Sequence, residues 1–211
     1  MSRANVLISL IHRGEVVRHL LRVIVPVLFL GTYARGAMTR EPSFRQNPQP
    51  AIRDEVTMTI DRAPGPFDSV EVNVLYQVAN SQCIRMLRGS GATPVLEKSI
   101  RIDLERVGND RYEGEMVADL MQDEDYYGLG VCHWIVESVN AEATINSLVL
   151  GAGIVMADSN APRTVERFFA NRSYYDSKQK RVITGNANRQ DFGADANDTF
   201  SIVLSVKEGP R

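Results

Sequence analysis

The chain is poor in the residue types that build catalytic and metal centres. It has three histidines, two cysteines and one tryptophan in 211 residues. His12 and His19 fall in the first 37 residues, so His133 stands alone after them. Residues 38–211 therefore exclude a multi-histidine metal site, and a Ser–His–Asp unit on any other histidine. No serine sits in a G-x-S-x-G turn. The glycine-containing stretch 88–94, RGSGATP, lacks the lysine and following helix of a phosphate loop. The DFG triplet at 191–193 stands without the phosphate loop and lysine-bearing strand of a kinase. Long hydrophobic runs are missing too. The run at residues 23–30 is far short of the roughly 20 residues that span a bilayer, and it contains Pro26. Beyond residue 37 there is no internal repeat and no helix-period pattern longer than about ten residues.

What is present begins with residues 18–37, RHLLRVIVPVLFLGTYARGA. Arg18 and Arg22 precede the apolar run, and small residues follow it, which is the layout of a bacterial export signal. Cleavage after Ala34 or after Gly36 fits equally well. The alternative is a buried helix of a cytosolic domain. The residues before Arg18 make a long leader, and we expect translation to start at Val17. The expected organisation is a signal peptide and leader over 1–37, a flexible linker over 38–54, and a single β-sandwich domain over 55–211. Export places the domain in the periplasm or the medium, with no stable membrane span after cleavage. In that oxidising setting Cys83 and Cys132 are expected to form a disulfide closing a loop of 49 residues.

Charge narrows the partners. Residues 38–211 carry 19 basic and 25 acidic side chains, a net charge of −6. Nucleic acid and anionic membranes require a basic footprint, so neither is an expected partner. The expected partner is a protein, and no cofactor is implied.

Alternating apolar and polar residues dominate the pattern. Val56, Met58 and Ile60 mark a first strand; Val70, Val72, Val74, Tyr76 and Val78 mark a second. Ile100, Ile102 and Leu104 predict one arm of a hairpin that turns at 107–110 and returns through Tyr112, Met116, Ala118 and Leu120. Residues 126–140 read as the next strand. Residues 141–158 read as one or two more, broken by Gly151 and Gly153. Residues 161–177 hold aromatics and charge with room for a short helix, and 181–197 read as loop. Phe200, Ile202, Leu204 and Val206 close the pattern. Seven or eight such strands with turns between them predict an all-β, antiparallel β-sandwich.

Asp125 to Trp134, DYYGLGVCHW, resembles strand F of an immunoglobulin-like sandwich, where a tyrosine precedes a disulfide cysteine and a tryptophan packs on the bridge. Tyr127 lies five residues before Cys132 instead of two, and Trp134 follows the second cysteine instead of lying between the two. The chain is also similar to small exported β-sandwich proteins of Gram-negative bacteria through Gly130, Val131, Cys132, His133 and Trp134 and through the closing strand. The resemblance implies an immunoglobulin-like fold and an export address, and it implies no activity.

Four groups of residues are candidates for function. Asp119, Asp123, Glu124 and Asp125 could offer oxygen ligands to calcium, although their spacing matches no ordered calcium loop. Asp191, Asp195 and Asp198 are a second acidic group. For both, the alternative is a solvated turn. Phe168, Phe169, Tyr174 and Tyr175 lie among Arg167, Arg172, Lys178, Lys180 and Arg181, the one basic block of an acidic chain, and are candidate partner contacts. The alternative is that these aromatics cover an end of the sandwich. In a regular strand Cys132 and Trp134 share one face and His133 points away, which makes His133 a candidate contact as well.

The expected function is a non-enzymatic, exported protein-interaction module. Its narrower form is an immunity protein that neutralises a secreted toxin, because acidic charge speeds capture of a basic partner. The alternatives are an envelope structural or adhesion subunit that assembles by strand addition, and a calcium-dependent carbohydrate-binding module.

Overall fold

Period-two alternation puts Val56, Met58 and Ile60 on one side of the first strand, and all three are buried. That strand, β1, runs over Arg53–Asp61. The computed structural model describes residues 43–176 and 180–210. The export segment, the first part of the extension and Lys178 lie outside the described residues.

Ten strands follow one another, with one short helix. After β1 come β2 (Ser69–Val78), β3 (Glu97–Ile102), β4 (Leu104–Arg106), β5 (Arg111–Val117), β6 (Trp134–Ile145), β7 (Leu148–Val155) and β8 (Thr164–Ala170). Helix α1 (Asn171–Tyr175), β9 (Arg181–Ile183) and β10 (Thr199–Lys207) complete the chain. One sheet has the order β4-β5-β1-β10-β8, the other β3-β2-β6-β7-β9. Their inner faces bury Met58, Met116, Phe200, Ile202 and Leu204 from the first sheet, and Val72, Val74, Tyr76, Leu148 and Leu150 from the second. Fully burying each such side chain contributes about 1.5–3 kcal/mol, the main force holding the sheets together.

The sandwich expectation holds, with corrections. The first sheet is antiparallel throughout, but β9 pairs with β7 in parallel, so the second is mixed. The cause is the route of the chain. Between β7 and β9 it crosses to the other sheet as β8, and two reversals bring β9 back in the direction of β7. The hairpin expected over 100–120 is split. Ile100 and Ile102 pair with Val74 and Val72 in one sheet, whereas Leu104 pairs with Gly114 in the other. The chain changes sheet at Asp103. A Cβ at Gly114 would stand 2.6 Å from the Asp103 carbonyl oxygen, so the crossover needs glycine there.

Residues 126–133 precede β6 as loop, not strand, and Gly151 and Gly153 lie within β7 on its outward positions. Nor is the described part of the expected flexible linker free. Phe44 stands edge-on to Tyr126 at 5.1 Å and to Trp134 at 5.2 Å. Gln46 bridges to Met121, and β1 already begins at Arg53. Polarity and proline made this stretch read as linker, yet one half-buried ring and a few backbone bonds suffice to dock it.

At each side of the sandwich the chain serves both sheets. At one side this is the β3–β4 crossover. At the other, β9 joins β7, and Asn186 then exchanges two backbone hydrogen bonds of 2.9 Å with Phe168 of β8. Gly185, at φ +66°, makes that approach beneath the Phe169 ring; a Cβ there would meet the ring at 2.8 Å.

Candidate functional site

Strand β2 runs the length of the sandwich and separates two ends. Its first residue, Ser69, follows the turn whose Pro66 carbonyl accepts a 2.6 Å hydrogen bond from the Tyr174 hydroxyl. Its last, Val78, pairs with Trp134 beside the disulfide. Ten residues of strand place these ends roughly 30 Å apart.

The aromatic end is closed by its own side chains. Phe169 stacks on Phe200 at 5.4 Å, and Tyr174 stands edge-on to Phe67 at 5.5 Å. Phe168 is buried on the other face of β8, with the Arg189 guanidinium 4.8 Å from its ring centre. Phe168 and Phe169 are therefore structural covers, the alternative to partner contacts, while Tyr174 is half-buried. Period two explains this: consecutive aromatics must face opposite ways, and both faces of β8 are covered here. Tyr175 remains 71 % exposed, and Arg172 is held at 2.9 Å by Asp195. His133 lies at the opposite end, so the candidate contacts do not form one surface.

The acidic candidates divide in the same way. Asp198 and Asp195 are at the aromatic end, where Asp198 accepts 2.7 Å from the Asn171 side chain. Asp191 belongs to the neighbouring 3-10 turn. At the other end Asp123 accepts 2.8 Å from the Trp134 backbone N–H, and its second oxygen is 2.7 Å from His133 Nδ1. Glu124 pairs with Arg45 at 2.7 Å, and Asp125 accepts 3.0 Å from the Leu129 N–H. Asp119 accepts from the backbone N–H groups of Ala51 at 2.9 Å and Ile52 at 3.0 Å. These carboxylates fasten chain segments. Among the described residues no three His, Cys, Asp or Glu side chains converge as a metal ion needs.

Desolvation raises the Asp119 pKa, but the Ala51 and Ile52 N–H groups outweigh it and hold the carboxyl below its usual range. Tyr76, buried beneath it, donates 2.8 Å to the Val117 carbonyl. Burial, with the charges of Asp119 and Asp54, pushes its pKa to about 12.

The disulfide-tied end is the more open one. Cys83 and Cys132 are bonded, with Cα atoms 5.3 Å apart. Cys83 follows β2 and Cys132 precedes β6, so the bond ties loops flanking neighbouring strands of one sheet. In the immunoglobulin pattern it joins two sheets. Asn80 doubles the tie: its side chain donates 2.8 Å to the Val131 carbonyl and accepts 2.7 Å from the His133 N–H. Among the described residues, five of the nine exposed large apolar side chains, Met86, Leu87, Val95, Leu129 and Val131, belong to these two loops. Composition could have flagged them, since five apolar residues fall in loop sequence where nothing alternates to bury them. Beside them, between the sheets, lies a cleft of about 580 Å³. Met116, Met121, Met156 and Trp134 line it, with Asp54, Asp119, Asp123 and the Arg163–Glu208 ion pair of 3.0 Å.

The fold is thus a two-sheet β-sandwich with one disulfide. Comparison with protein families, with characterised proteins and with solved structures returns no match.

Proposed function

We propose that this is an exported, non-enzymatic protein-interaction module whose contact face is the disulfide-tied end. The carrying observation is the clustering of Met86, Leu87, Val95, Leu129 and Val131 on two covalently joined loops. An apolar surface held in place by a crosslink is the mark of a contact site, because ordering it on binding costs little further entropy. The disulfide supports an oxidising compartment, and with it the reading of residues 18–37 as an export signal in an immunoglobulin-like periplasmic protein.

The narrower form is an immunity protein. The net charge of −6 over residues 38–211 favours a basic partner. Affinity capture of the tagged protein from the periplasm and medium of its own species tests the reading. One stoichiometric protein, lost from the Leu87→Asp and Leu129→Asp variants, is the expected result. Equal recovery by all three proteins would remove the face from the reading. A captured hydrolase, with self-intoxication on deletion of the gene, would establish the immunity form.

An envelope subunit is the second reading, favoured by β3. It is a six-residue terminal strand, whereas the terminal strands β4 and β9 have three residues each and β8 is partly sealed by Asn186. Chain-like polymers in solution would select it.

A further inference from the structure

The two halves of the disulfide-tied face carry opposite charge. Residues 84–96 contain Arg85 and Arg88 and no carboxylate; residues 119–131 contain Asp119, Asp123, Glu124 and Asp125 and no cation of their own, and Arg45, docked beside them, pairs with Glu124. The local ties already described absorb Asp119, Asp123 and Glu124. Asp125 makes only the short-range bond to Leu129, and it is in no ion pair among the described residues. Arg85 and Arg88 likewise have no ionic partner among the described residues, although most arginines of the sandwich do. Each half also exposes apolar side chains: Met86, Leu87 and Val95 on the basic half, Leu129 and Val131 on the acidic half.

A face with apolar residues on both halves and opposite charge on each is complementary to itself. A half-turn of a second copy brings its acidic half over the basic half of the first, and the same contact forms a second time. We propose that a second copy of this chain occupies the face, in a two-fold dimer with residues 84–96 of one copy against 119–131 of the other. Arg85 and Arg88 face Asp125 of the partner copy, and the exposed apolar side chains close between them. Apolar burial supplies the affinity. The charges fix the orientation, because the alternative of like half on like half opposes charges of one sign. The disulfide and Asn80 hold the two loops together before contact, so the face needs little rearrangement. This inference rests on the disulfide-tied end being the contact face; the second copy occupies that face until the captured partner displaces it.

Sedimentation velocity of the oxidised full chain, from about 10 to about 500 μM, tests it. The expected result is a concentration-dependent dimer, weakened at least about tenfold by Leu87→Asp. A charge exchange separates a designed contact from general stickiness. The Arg85→Glu/Arg88→Glu variant and the Asp125→Arg variant should each be monomeric, and mixing them should restore a heterodimer. A wild-type monomer throughout, or a dimer indifferent to Leu87→Asp and to the charge exchange, would overturn the second copy as occupant. If capture of another protein still depends on Leu87 and Leu129, the contact face stands and only its occupant is wrong. If capture is indifferent to them as well, both fall.

Discussion

The molecule contains two hydrophobic clusters built on different principles. The larger lies between the sheets and takes its buried members from seven strands, β1, β2, β5, β6, β7, β8 and β10, and from Met121; they face each other because their strands alternate. The smaller lies under the loops at the disulfide-tied end and buries only Val78, Cys83, Ile84, Leu96 and Cys132. The first is held by area. The second is too small for that, and a covalent bond with the Asn80 fork takes over the task. The contrast also explains where apolar residues remain in solvent. Strands pair their inward residues automatically, whereas a crosslinked loop keeps its shape without covering its own side chains.

Breaking each cluster separately sharpens the comparison. The largest effect belongs to the sandwich: Phe200→Ala, which removes a fully buried ring stacked on Phe169, should cost about 3–5 kcal/mol in urea unfolding. At the other end, Cys83→Ala with Cys132→Ala should cost up to about 4 kcal/mol, since the loop closed spans 49 residues. The two losses should differ in kind. The ring deletion should leave the loops protected from proteolysis, whereas the cysteine variant should be cut within 84–96 or 119–131 before the sandwich unfolds. Protection of those loops without the disulfide would erase the distinction between the clusters.

Tyr76, in the larger cluster, gives a smaller, pH-dependent effect. Its folded pKa, about 12, lies above the ordinary value of 10. Its contribution is therefore complete below pH 10 and is lost as pH rises toward 12. The difference amounts to roughly 2–3 kcal/mol, absent in Tyr76→Phe. Equal alkaline slopes for the two proteins would exclude Tyr76 as the cause. Smallest is Asp119→Asn, which weakens the acceptor for Ala51 and Ile52 and should cost about 1 kcal/mol at neutral pH. The folded pKa of Asp119 is lowered, so its contribution holds above the unfolded pKa and fades as pH falls through the folded value. The variant should converge on the wild type in acid, by thermal unfolding followed through circular dichroism.

Strands β1 and β2 were legible because their apolar positions are drier than the polar ones between them, and period two records that contrast directly; β10 shows it in its residue types, although Thr199 and Ser201 are buried too. The chain between 97 and 117 shows the limit. Ile100, Ile102 and Leu104 alternate without interruption, yet a change of sheet falls between the last two. Alternation reports which face is dry, not which strand lies alongside. Strand β9 has three residues and a single backbone partner, too short for any period. The aromatic candidates failed because Phe169 and Tyr174 look alike whether they greet a partner or roof a core. Only Phe200 and Phe67 beneath them decide. The disulfide was legible from two cysteines and an export-like leader, while the exposed loops it joins were not.

By itself the sequence determined a β-rich chain, the dry face of its main strands, the single disulfide and the acidic balance, because each follows from residue type or from spacing along one segment. The tertiary structure alone decided that β3 and β4 belong to different sheets, that β9 runs parallel to β7, and that the aromatic end is shut while the disulfide-tied end is open. Those facts depend on which segments meet across the core, and pairing between distant segments is set by the closure of the whole sandwich.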